Sequence, residues 1–136
     1  MLGLFAVGAA VAVDPALLEG LPASEVTIAF HGEQQVCTGP LLSDVTARMG
    51  APARGEVRGA ALRMVVLAEG RDGYRVLFSL GELDPLLGKA AVIVATRCNG
   101  AGLSDEDGPY RLAVAGDKRG ARSLRQLASL RLATVE

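Results

Sequence analysis

The sequence is poor in the residues on which small catalytic and metal-binding domains most often depend. It has two cysteines, Cys37 and Cys98, a single histidine, His31, and no tryptophan. Two cysteines are too few for a disulfide framework, and neither lies in a Cys-x-x-Cys motif. They read as two inert buried thiols, with one bridge between them as the alternative. A single histidine argues against zinc sites built from several His or Cys ligands. It also leaves a hydrolytic triad without support, since no nucleophile elbow accompanies it. His31 therefore reads as a loop histidine, exposed or hydrogen-bonded, with a ligand or proton carrier as the alternative. No glycine-rich dinucleotide fingerprint follows a strand, and no P-loop lysine motif is present. With three Phe and two Tyr, the core must be built from Val, Leu, Ala and Ile. The net charge of −1 supplies no field toward nucleic acid or a membrane, so neither is expected as a partner.

Residues 1–13 are apolar but lack the Lys or Arg that opens a signal peptide, and they are too short to span a bilayer as a helix. They read as a first strand. Ala10-Val11-Ala12 resembles a small-residue cleavage site, so a targeting segment is the alternative. The chain as written favours the cytoplasm, with a periplasmic or exported location left open.

What is present is enough for one self-sufficient domain. The 136 residues are 50% hydrophobic, and a chain of this length buries roughly two-thirds of its unfolded surface without staples. Residues 1–136 are expected to form a single domain. Asp14-Pro15 predicts a short helix start that Gly20 and Pro22 stop, and residues 25–30 read as a β-branched strand. Gly39-Pro40 is expected to open the best helix, with Leu41, Leu42, Val45 and Met49 on one stripe and Gly50 and Pro52 ending it. Residues 51–59 read as a polar connector. Residues 62–68 and 74–78 predict a hairpin around Arg71-Asp72-Gly73. Ser79 and Glu82 have capping-box spacing. Residues 91–96 read as a central strand, the alternating apolar run at 110–115 as a further strand, and 130–135 as the last, after a helical turn near 124–127. About seven short strands that do not alternate regularly with helices indicate α+β, with mixed sheets and a few short helices.

The stretch 99–125 holds the clearest functional signal. It opens on Asn99-Gly100, the dipeptide suited to a two-residue hairpin turn. Asp105, Glu106 and Asp107 read as a solvated turn. A glycine-bracketed loop, Gly116-Asp117-Lys118-Arg119-Gly120, then runs into Ala121-Arg122-Ser123-Leu124-Arg125. Lys118, Arg119, Arg122 and Arg125 are four of the 14 basic residues, gathered in eight positions. Such a loop can seat a phosphate or another anion, Arg by its planar fork and Ser123 by its hydroxyl. A solvated basic surface balanced by the nearby acids is the alternative.

The same residues resemble the molybdopterin-binding domain of the sulfite oxidase family. That family has, in order, an "NG-x-x-L" turn, a "HG-x-P-x-R" segment, a strand ending in "PG", and "G-A-R-S-V-K-W-L". Here Asn99-Gly100 with Leu103, Asp107-Gly108-Pro109-Tyr110-Arg111, Ala115-Gly116 and Gly120-Ala121-Arg122-Ser123-Leu124-Arg125 follow in that order. Gly39, Leu42, Asp44 and Val45 approximate the family's "G-x-x-L-x-D-V-L" helix. Asp107 replaces the family's His, and Arg125 its Lys. The resemblance covers residues 26–132 and implies a molybdopterin-domain-like fold. It also implies a pterin or other phosphorylated small molecule at Lys118, Arg119, Gly120, Arg122, Ser123 and Arg125.

The family binds molybdenum through a cysteine thiolate, a soft charged ligand that oxygen and nitrogen replace poorly. In this chain Phe30 falls at that position, and Gln34 and Gln35 where two arginines belong. Three functions follow as expectations. The first is a non-catalytic binding module with an anion or pterin-phosphate site. The second is an oxidoreductase carrying molybdenum cofactor, with the metal held by its dithiolene alone or by Cys37. The third is a structural or partner-binding domain with no small ligand.

Overall fold

The computed structural model describes residues 5–30 and 32–136. His31, and with it the reading of that histidine, lies outside the described residues, as do residues 1–4 of the expected first strand. The fold is α+β and dominated by strands: β1 (Phe5–Val7), β2 (Val11–Ala12), α1 (Pro15–Leu18), β3 (Ala23–Phe30), β4 (Glu33–Pro40) and α2 (Leu42–Arg48) come first. A 3₁₀ turn (Gly59–Arg63) leads to β5 (Met64–Gly70), β6 (Arg75–Ser79), α3 (Leu80–Leu83), β7 (Val92–Ala95), β8 (Arg97–Cys98) and β9 (Ala101–Gly102). The chain closes with β10 (Arg111–Val114), a second 3₁₀ turn (Gly120–Arg122) and β11 (Leu127–Val135).

Three layers result. One sheet has the order β1-β11-β5-β6, with β2 also on β11; another has the order β3-β4-β8-β9; the antiparallel ribbon β7-β10 packs between them. Every residue of β7 and β10 is buried. Side chains of a strand alternate between faces, and here both faces find a core. Val92, Val94, Leu112 and Val114 pack with Val66, Phe78 and Leu130 on one side. Ile93, Ala95 and Ala113 pack with Val26, Ile28 and Cys37 on the other. The continuous apolar run at 91–96 is thus the sequence of a strand covered twice.

Several expected elements hold. Asp14 caps α1 by accepting from the Leu17 N–H. Leu42 and Val45 bury the predicted stripe of α2, and Met49 packs against it. The Ser79–Glu82 capping box is complete, both reciprocal bonds being made. Asn99 and Gly100 take positive φ in the β8-β9 turn.

The differences have physical causes. Strand β4 was not foreseen, because Glu33, Gln34 and Gln35 are polar and Gly39-Pro40 reads as a break. Its partner β3 supplies the register over all eight residues. Gly39 lies on that strand rather than opening a helix, for a packing reason. A methyl group there would sit 1.9 Å from the Val94 carbonyl oxygen, so only glycine lets β4 approach β7. The first strand is broken between β1 and β2. The connector at 51–59 is not simply polar, since Ala51 and Val57 join Leu80 in a satellite core. The expected helical turn at 124–127 is instead the 3₁₀ turn at Gly120–Arg122, and β11 begins at Leu127.

The two cysteines are also not free thiols. Cys37 and Cys98 face each other across β4 and β8 and form a disulfide. Spacing alone could not show this, because the register that brings them opposite depends on the unforeseen β4. Asn99 reinforces the junction: its N–H donates to the Val36 carbonyl (2.7 Å) and its Oδ1 accepts from the Val36 N–H (2.9 Å). Among the described residues no helix is long and apolar enough to cross a membrane.

The disulfide closes a sequence separation of 61 residues. Loop-closure entropy for that length corresponds to about 4 kcal/mol. Equilibrium urea unfolding of the Cys37→Ala/Cys98→Ala double variant is expected to show a loss of that order. A midpoint equal to that of the oxidised parent would contradict it.

Candidate functional site

The basic segment wraps one side of an open groove of about 780 Å³, a volume within the usual range for small-molecule sites. Gly116, with φ of 87°, turns the chain out of β10, and the Gly120–Arg122 turn carries it past Ala29 of β3. Lys118, Arg119, Gly120, Ser123 and Arg125 line the groove. Five of the six residues singled out in the sequence therefore meet around one space; Arg122 stands apart from it.

Arg122 is committed to the protein. Its Nε and Nη2 donate to the two carboxylate oxygens of Asp117, each at 2.9 Å, and its Nη1 donates to Glu82 Oε2 at 3.2 Å. The guanidinium also lies over the Phe78 ring, 5.1 Å from its centroid. Hydrogen bonds to Asp117, against a smaller cost of burial, hold its pKa above the ordinary arginine range. Glu82 serves twice, since Oε1 completes the capping box while Oε2 takes Arg122. The spacing showed only the first role.

A second network lies under the groove. Arg111 is buried at the start of β10, 1% exposed. Its Nη2 donates to the Ser123 carbonyl at 2.9 Å, and its Nη1 lies 3.9 Å from Asp107. Burial lowers the pKa of Arg111, Asp107 opposes that shift, and Arg125 adds to it. Asp107 also faces Arg125 at 3.5 Å, so one carboxylate stands between two guanidinium groups. Ser123 is fixed at three atoms: its N–H donates to Gly120, its carbonyl accepts from Arg111, and its Oγ accepts from the Val114 N–H at 3.0 Å.

The far wall comes from residues that sequence reading did not connect with the site. Tyr74, half exposed, donates from its hydroxyl to the Ala121 carbonyl at 2.8 Å, and its N–H is accepted by Asp72 Oδ1. The hairpin turn is tied on by Arg71 N–H donating to the Gln126 carbonyl. Asp72 and Glu106 place two carboxylates on the lining, against the three cations of Lys118, Arg119 and Arg125. Among the described residues Lys118 and Arg119 make no ion pair. The groove therefore has a cationic side formed by two adjacent residues.

The residues do not fit the molybdenum centre that the resemblance would imply. On the alignment that the resemblance implies, Phe30 falls where the ligating cysteine is expected, and the sulfur of Cys37, the alternative, is bonded to Cys98. No thiolate is left to bind a metal. Among the described residues no group of three His, Cys, Asp or Glu is placed to hold a metal ion.

No protein-family model matches the chain, and no curated protein matches it.

Removing Arg111 as Arg111→Met would leave the Ser123 carbonyl without its donor and Asp107 with Arg125 alone. A loss of about 2–3 kcal/mol is expected in urea unfolding. The partly exposed Arg122 is worth less: Arg122→Met is expected to cost about 1 kcal/mol, shrinking in molar salt. Equal losses that ignore salt would contradict this division.

Proposed function

We propose that this chain is a non-catalytic binding module whose groove takes a small anionic ligand, its phosphate or equivalent group seated on Lys118 and Arg119. One observation carries the reading. Of the four cations that the sequence concentrates in residues 118–125, Arg122 is spent on Asp117 and Glu82 and Arg125 faces Asp107, whereas Lys118 and Arg119 line an open groove without a carboxylate partner among the described residues. Charge-assisted bonds to phosphate are the strong use of such a pair. Ser123, whose backbone is fixed at both its N–H and its carbonyl, lines the same groove.

The resemblance to the sulfite oxidase family makes a pterin phosphate the first ligand of this class to try. It does not extend to the metal, because the thiolate is missing. The disulfide supports an oxidising compartment, where such bonds form and persist.

Equilibrium dialysis against inorganic phosphate, pyrophosphate and a pterin phosphate tests the site. Lys118→Glu/Arg119→Glu is expected to weaken binding at least about tenfold, with the circular dichroism spectrum unchanged. Unaltered binding in that variant would remove the groove from consideration. Protein purified from a host that makes molybdenum cofactor should carry pterin without stoichiometric molybdenum. Near-stoichiometric molybdenum would favour an oxidoreductase instead.

A further inference from the structure

Away from the groove, the 3₁₀ turn at Gly59–Arg63 and the segment after α3 bring three leucines to the surface. Leu86 is 73% exposed, Leu62 54% and Leu87 48%. Leu62 and Leu87 flank the same spot: a methyl on Gly81 would lie 3.5 Å from Leu62 Cδ2 and 4.0 Å from Leu87 Cδ1. Leu86 continues the patch over Gly55.

Two further observations say what covers it. The first is charge. Arg58 and Arg63 bracket the turn that carries Leu62, and Lys89 follows Leu87 by two residues. All three are exposed, and among the described residues none makes an ion pair. Of the nearby acids, Asp44 faces Arg54 and Glu82 faces Arg122, leaving Glu56 as the exposed carboxylate on this stretch.

The second is the backbone. Pro85 has no N–H, and each of the next five residues donates its own internally. Leu86 donates to Asp84 Oδ2 and Leu87 to the Asp84 carbonyl. Gly88, Lys89 and Ala90 donate to the carbonyls of Gly81, Asp84 and Glu82. Asp84, buried at 1%, organises the turn, and its other oxygen accepts from the Gly55 N–H at 2.7 Å. A protein strand seeking to pair with this segment would find no free N–H from 86 to 90. Paired N–H groups are half of what an apolar phase demands of a backbone that approaches it.

We infer that this end of the molecule docks on an anionic lipid surface, with Leu62, Leu86 and Leu87 entering the interface and Arg58, Arg63 and Lys89 meeting the headgroups. The overall charge of −1 does not oppose this, because surface attraction acts within a Debye length of the patch. The docking is peripheral and requires no spanning helix.

Vesicle flotation tests it. The chain is expected to float with equimolar phosphatidylcholine and phosphatidylglycerol, and much less with phosphatidylcholine alone. Leu86→Gln/Leu87→Gln and, separately, Arg58→Glu/Arg63→Glu should each lower the partition coefficient about tenfold or more. All four positions are exposed, so folding is checked simply by an unchanged thermal midpoint. Failure to float with the anionic vesicles, or equal flotation of the leucine variant, would overturn the proposal. Self-association lost in the leucine variant, without flotation, would assign the face to a second copy and overturn it as well.

Discussion

The β7-β10 ribbon is the constraint on which the remaining structure depends. Eight residues buried on both faces must be apolar throughout or carry a partner for every polar atom. Seven of the eight are Val, Ile, Ala or Leu, and the exception, Arg111, lies at the end of the ribbon against Ser123 and Asp107. The close approach of β4 at Gly39, the separation of the two cores, and the placement of the basic segment just past β10 all follow from where this ribbon lies.

The electrostatics divide into cations that hold the protein together and cations that face outward. Asp117 and Glu82 draw Arg122 onto Phe78, fastening the loop after β10 to the cap of α3. Asp107 does the same for Arg111 and Arg125. Four basic residues close in sequence thus have two different fates, decided by which carboxylates the fold brings within reach. Net charge, which averages over both groups, conveys neither the groove nor the basic rim around Leu86.

Signals in the sequence are legible where their cause is local. The Asp14 cap, the Ser79–Glu82 box, the Asn99-Gly100 turn and the apolar run of β7 each depend on neighbours a few residues away. What escaped depends on distant partners. Strand β4 exists because β3 pairs with it, and the Cys37–Cys98 bridge exists because β4 and β8 align. Tyr74 reaches the groove only through a bond to Ala121. The loop at 116–125 announced its charge in the sequence. Asp117 lies only five residues from Arg122, yet the pairing depends on how the loop turns, and the second partner, Glu82, is 40 residues away.

The bridge between Cys37 and Cys98 also changes the topology of the chain. It makes residues 37–98 a closed covalent ring that contains α2, the β5-β6 hairpin, α3 and β7. The exposed stretch around Arg54, Glu56 and Arg58 lies inside that ring. A protease cutting there opens the ring without separating the molecule, since both new pieces stay joined through sulfur. The N-terminal piece keeps β3 and β4, the C-terminal piece keeps the ribbon they pack against, and only a reductant could let them part.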